Sequence, residues 1–179
     1  MSDSMYHDPI NIAIYNGIKR GINVCLESEC FGSVVILTYS GIDTMAYLAM
    51  PVCQTDVTRE DFVQWCDKYI RFPGSDQVTG LELYSARCGM LHTYGVESRL
   101  TRSGTCRKLG YMDRSVPEIR YSPQIDQNLA LVSIEALAKA FFNGIDRFLV
   151  DLFSDSTRIT HVEQRLRQLV CAFPVTPRS

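Results

Sequence analysis

The sequence predicts a mainly α fold: a bundle of about five to six helices with a small irregular or β-ribbon insertion around 105–132. Two observations carry this. Apolar residues recur at helical spacing through most of the chain, and they are punctuated by caps and by Pro or Gly. The stretch Gly95–Gln127 breaks the pattern, because it holds Gly95, Gly104, Gly110, Pro117 and Pro123 and no long apolar period. The 179 residues, 46% of them hydrophobic, suit one domain over 1–179 with loose tails at 1–8 and 173–179.

The elements follow in order. Ile14, Ile18, Ile22 and Leu26 form a stripe on a first helix from Ile10 to Leu26, which Pro9 is placed to open. A second helix from about Ser33 to Ala49 stops before Pro51. Thr58, with Asp61 three residues on, reads as the cap of a third helix through Phe62, Trp65 and Ile70, closed by Phe72-Pro73-Gly74. A fourth helix, about Asp76 to Tyr94, carries Leu81, Tyr84, Cys88 and Leu91 on one stripe, expected to face the core. Short strands are expected at Leu109–Met112 and Leu129–Val132, with their pairing left open. The helical period returns from Ser133 through Leu137, Phe141, Ile145, Phe148 and Leu152. A last helix follows Ser156 or Thr157 through Ile159, Val162, Leu166 and Leu169.

Charge and cysteine content narrow the function classes. Eighteen basic residues against twenty acidic ones give a net charge of −2, which argues against coating a polyanion by bulk charge. The seven cysteines are odd in number, scattered, and contain no Cys-x-x-Cys pair. They are expected to be reduced and mostly buried, hence cytoplasmic. Cys25 and Cys30 with a histidine match no common zinc spacing, so neither metal nor cofactor is expected. Met1 to Asp8 lacks the basic start and apolar stretch of a signal peptide. The apolar run Ser33 to Met50 includes Asp43, Ser40 and two threonines, so a buried core helix is expected rather than a membrane span. No Gly-rich phosphate loop, dinucleotide fingerprint or serine elbow is present.

The stretch that points to chemistry is Tyr84-Ser85-Ala86-Arg87-Cys88-Gly89-Met90-Leu91-His92-Thr93-Tyr94. It sets an arginine, four intervening residues, a histidine, one residue and a tyrosine at the end of a helix. This arrangement resembles the HEPN superfamily, small helical domains found in prokaryotic toxin and defence ribonucleases. Arg87, His92 and Tyr94 match the extended form of that family's motif. Cys88 departs from it, standing where the family often has a polar residue. The resemblance implies a metal-independent endoribonuclease in which the RNA 2′-hydroxyl attacks its own phosphodiester. It also implies a homodimer and RNA or a nucleotide as partner. In some relatives a regulatory partner protein nucleotidylates the tyrosine.

The residue types fit that chemistry. An unperturbed histidine titrates at about 6.5, which suits proton transfer, so His92 is the candidate general acid or base. Arginine offers a permanently charged fork for a crowded phosphorane, so Arg87 is the candidate anion stabiliser. On an ideal helix, positions five apart diverge by about 140°, so Arg87 and His92 do not share a face. A helix loosened at Gly89, a His92 in the last turn, or two subunits combining their pairs would meet this objection. Tyr94, seven residues past Arg87, projects within about 20° of it and about 10 Å along the axis.

Three further candidates support the pair. Asp43 needs a partner within its apolar helix, and Arg87 is a natural one, either as an active-site orienter or as a plain salt bridge. From Arg87 to Arg120 the basic residues Arg87, Arg99, Arg102, Arg107, Lys108, Arg114 and Arg120 face only Glu97, Asp113 and Glu118. Arg99 and Arg102 are thus candidates to hold an RNA backbone, against the alternative of a solvated loop. For His92 the alternative is a C-terminal helix cap favoured by the dipole. For the whole chain it is a non-catalytic HEPN-like module that binds RNA, a nucleotide or a protein partner, or a purely structural adaptor.

Overall fold

A computed structural model describes residues 8–112 and 116–169. His7, Arg114, Cys171 and the tails beyond these ranges lie outside the described residues. The elements in chain order are α1 (Arg20–Glu27), α2 (Phe31–Ala49), α3 (Arg59–Tyr69), α4 (Gly80–Thr93), α5 (Arg99–Arg102), β1 (Lys108–Met112), β2 (Arg120–Tyr121), β3 (Leu129–Ser133), α6 (Ile134–Phe153) and α7 (Ser156–Leu166). A π-wound segment, Asn11–Lys19, runs directly into α1. The fold is a helical bundle carrying a small mixed sheet.

The π segment refines the first expected helix. Its apolar residues fall at every fourth position, which drifts about 40° per step on a 3.6-residue helix. The wider turn closed by i→i+5 bonds reduces that drift. Ile14 and Ile22 are fully buried, with Ile18 and Leu26 packed beside them.

Helix α2 is the centre of the bundle and packs against α1, α3, α4, α6 and α7. Among the described residues it alone has the length and apolarity to cross a membrane, yet half of that window is buried inside the protein. It is a core helix. Gly41 permits its close approach to α6, since a Cβ there would lie 2.6 Å from the Phe141 ring. The α6 stripe Leu137, Phe141, Ile145, Phe148 and Leu152 is buried as its spacing predicts. Trp65 and Tyr69 of α3 meet Phe148 edge to face, at ring separations of 6.3 and 5.6 Å. Arg165 of α7 is buried and donates to the Met50 and Pro51 carbonyls at 2.5 and 2.7 Å, which closes the C-terminal end of α2.

Helix α4 departs from the sequence reading in two ways. It begins at Gly80 rather than near Asp76, because Thr79 and Glu82 form a capping box. The residues just before are spent on a turn in which the Gln77 side chain bonds both the N–H and the carbonyl of Phe72. Its buried apolar residues are Leu83, Ala86 and Met90, whereas Leu81, Tyr84, Cys88 and Leu91 are only half-buried. The expected core stripe therefore faces outward. Both faces of α4 carry apolar residues, so periodicity alone could not choose between them.

The two expected strands do pair, and the pairing is parallel, with Lys108 opposite Leu129 and Met112 opposite Ser133. A third strand, β2, adds antiparallel to β3 and gives the order β1-β3-β2. Two residues are too short for a period-2 signal, which is why β2 escapes a sequence reading. The cysteines also differ from expectation. The six described are free thiols, but only Cys66 is buried, and Cys30 and Cys53 are exposed. Small loops and helix ends, rather than core positions, hold most of them.

Candidate functional site

The N-terminus of α4 is anchored before any site residue is placed. Asp67 of α3 accepts the Gly80 N–H at 2.6 Å, and a Cβ at Gly80 would stand 2.3 Å from the Val63 carbonyl oxygen. Glu82 is buried and forms a two-pronged ion pair with Arg107, whose guanidinium also lies over the Tyr121 ring at 4.5 Å. Burial works to raise the Glu82 carboxyl. Arg107 and the Thr79 N–H outweigh it and hold the group below the usual carboxylate range. This clamp ties α4 to the sheet.

One turn on, α4 presents Arg87 to α2. Its Nε–H and Nη2–H both donate to Asp43 Oδ2, at 2.9 and 2.8 Å. Each side chain keeps 24% of its surface exposed. Burial pushes the Asp43 carboxyl above its usual range despite the attraction of Arg87. With one carboxylate oxygen taking two of five guanidinium protons, Arg87 keeps donors for a second anion. Sequence reasoning paired these residues, and the structure brings them together.

His92 lies in the last turn of α4 and is exposed. The helix stays regular through Thr93, so the divergence of about 140° from Arg87 persists. Gly89 does not loosen it. That glycine instead gives room for the returning chain, because a Cβ there would lie 2.6 Å from the Gly95 carbonyl oxygen. On α4, His92 instead follows Cys88 by one turn, on the outward face.

Tyr94 does not continue the helix. It stands just beyond it in the left-handed region, at φ 55°, and its N–H bonds the Met90 carbonyl at 3.0 Å. The projection onto the Arg87 face therefore fails. The Tyr94 hydroxyl lies directly against Gly32 at the start of α2, where any Cβ would overlap it. The ring remains 63% exposed.

The basic run divides. Arg87 and Arg107 are held by carboxylates, and Lys108 reaches Glu97 at 3.2 Å. Arg99 and Arg102, on the short α5, are exposed and make no side-chain ion pair among the described residues. Ser98 caps α5 and shares a 2.6 Å buried hydrogen bond with Ser85 of α4. Arg99 is thereby held close to the outer face of α4, whereas Arg102 takes no part in the site.

Sequence reasoning missed the cavity on that face. Arg59, Tyr84, Cys88, Ser98, Arg99 and Leu100 enclose about 170 Å³ between α3, α4 and α5. A second groove of about 360 Å³ adjoins it through the shared Arg59 and Leu100. The signal was present in the stripe Leu81, Tyr84, Cys88 and Leu91, of which Leu81, Tyr84 and Cys88 line these hollows. The Cys88 thiol sits beside both the Tyr84 hydroxyl and the Arg87 guanidinium. No cluster of three or more metal-ligating side chains exists among the described residues.

No protein-family model, curated protein or solved structure matches the chain. The site therefore rests on its own geometry.

Proposed function

We propose that the protein is a HEPN-like, metal-independent endoribonuclease in which Arg87 and His92 act on an RNA phosphodiester. The observation that carries this reading is the state of the two side chains on α4. Arg87 is oriented by Asp43 with donors to spare, and His92 is exposed at the end of the same helix. The 2′-oxygen attacks phosphorus as the bond to the 5′-oxygen breaks, leaving a 2′,3′-cyclic phosphate and a 5′-hydroxyl. One imidazole takes the 2′-hydroxyl proton, and another delivers a proton to the departing 5′-oxygen. The guanidinium offsets charge on the phosphorane. A homodimer meets both needs, since two copies supply two imidazoles and can close the angular gap that one helix leaves.

The test is incubation of the purified protein with total RNA in EDTA. Cyclic phosphate ends are expected, and His92→Ala abolishes them. Intact RNA under all conditions, or undiminished cleavage by the variant, excludes the ribonuclease.

A second reading has a specific observation in its favour. Arg87 is already engaged by Asp43 and points away from His92, as suits a non-catalytic module that binds RNA, a nucleotide or a protein partner. RNA bound tightly but never cut would select it.

A further inference from the structure

We propose that the cavity between α3, α4 and α5 is a phosphate-binding subsite, gripping a nucleotide phosphate beside the one at His92. This deepens the RNA reading above and rests on it for the identity of the ligand. The pocket itself stands on separate residues. Its lining brings the side chains of Arg59 and Arg99 to one hollow with Tyr84, Cys88, Ser98 and Leu100, and contains no carboxylate. Arg99 has no ion-pair partner among the described residues. Arg59 is held only by its neighbour Glu60, at 2.8 Å, in a pair whose members are 48% and 61% exposed. Exposed pairs of this kind are worth about 0–1 kcal/mol, so Arg59 can exchange that partner for a phosphate. The Tyr84 hydroxyl, in the field of both Arg87 and Arg59, offers a further donor at the same wall.

Size and position name the class of ligand. The cavity of about 170 Å³ is smaller than the roughly 300–1,000 Å³ of sites that take a whole small molecule. It suits one group of a larger chain. Cys88 precedes His92 by one helical turn, about 6 Å along the axis. That is one to two nucleotide steps at the ~3.4 Å rise of a stacked strand. The adjoining groove past Arg59 gives the chain an exit. Two arginines at a hollow whose own lining holds no carboxylate, with Glu60 on the adjoining groove, favour phosphate oxygens. Their source is either an RNA backbone or a free nucleotide.

The experiment uses the full chain carrying His92→Ala, so that binding is read without cleavage. Fluorescence anisotropy with a labelled twelve-nucleotide single-stranded RNA is compared with AMP and inorganic phosphate as competitors. Adding Arg59→Ala and Arg99→Ala is expected to weaken RNA binding at least tenfold. The slope of log affinity against log salt should fall by about 0.7 for each lost contact. Lys68→Ala, on the far face of α3, serves as the charge control and leaves both unchanged. Competition by AMP at concentrations near those of RNA assigns the pocket to a free nucleotide, and its failure to compete assigns it to the backbone. Unchanged affinity and slope in the folded double variant overturn the subsite, as does absence of binding to every probe. The two readings separate cleanly. Loss of binding in the double variant with no cleavage by the parent protein leaves the subsite and removes the ribonuclease. Cleavage that depends on His92 but not on Arg59 and Arg99 does the reverse.

Discussion

Asp43 Oδ2 accepts both Nε–H and Nη2–H of Arg87, joining the centre of α2 to α4 across 44 residues of sequence. The contact fixes the guanidinium plane while leaving a quarter of each side chain in solvent. A structural tie and a preoriented anion site are the same object here.

Replacing Asp43 with Asn separates the two roles. Burial already outweighs the attraction of Arg87 for the ionised carboxyl, and the neutral amide oxygen still accepts from the guanidinium, so a urea midpoint should move by less than about 1 kcal/mol. If Arg87 serves RNA cleavage, kcat falls by about 10²-fold with KM nearly unchanged, because Asp43 positions Arg87 and does not touch substrate. Equal losses in kcat and in the fraction folded would mark Asp43 as purely structural.

The same carboxyl sets a pH dependence. Its folded value is raised, so the folded state holds the proton more tightly than the unfolded one. This group's contribution to stability therefore declines as pH rises from about 4 through the folded value. Urea titrations across that range should show the decline in the parent and its absence in Asp43→Asn.

Glu82 has the opposite sign. Its folded value is lowered, so its contribution is complete above about 4.3 and disappears as pH falls through the folded value. Glu82→Gln strips the charge from the buried pair with Arg107 while its amide oxygen still serves the capping box, and should cost about 3 kcal/mol at pH 7. Thermal melts at pH 7 and pH 3 test this, and a gap between the proteins that does not narrow in acid would contradict it.

Gly32→Ala is expected to expel Tyr94 from the start of α2. The new methyl overlaps the phenol oxygen, which has solvent on its free side. Release of that side chain should raise its solvent accessibility, read as faster nitration of Tyr94 by peptide mass spectrometry. Unaltered nitration would show that the hydroxyl is not held there.

His92→Ala should leave stability within about 0.5 kcal/mol, as for exposed positions free of buried partners. A melting temperature matching that of the parent then assigns any lost cleavage to chemistry. A large drop would instead make His92 a cap of α4.

What the sequence determined by itself was local. The capping box of Thr58 and Asp61, the buried stripe of α6 and the break at Gly95 are written in residues three or four apart, and each is found. Asp43 and Arg87 could be paired because a carboxylate in an apolar helix demands a cation. The rest needed tertiary structure. Packing of α4 against α2, α3 and β1 buries Leu83, Ala86 and Met90 and leaves Tyr84 and Cys88 half-buried. The parallel pairing of β1 with β3 joins segments about twenty residues apart. Tyr94 left the Arg87 face because the chain reversed in a left-handed residue and folded back over Gly89. Each of these outcomes is set by contacts between distant segments, whose energies no local spacing records.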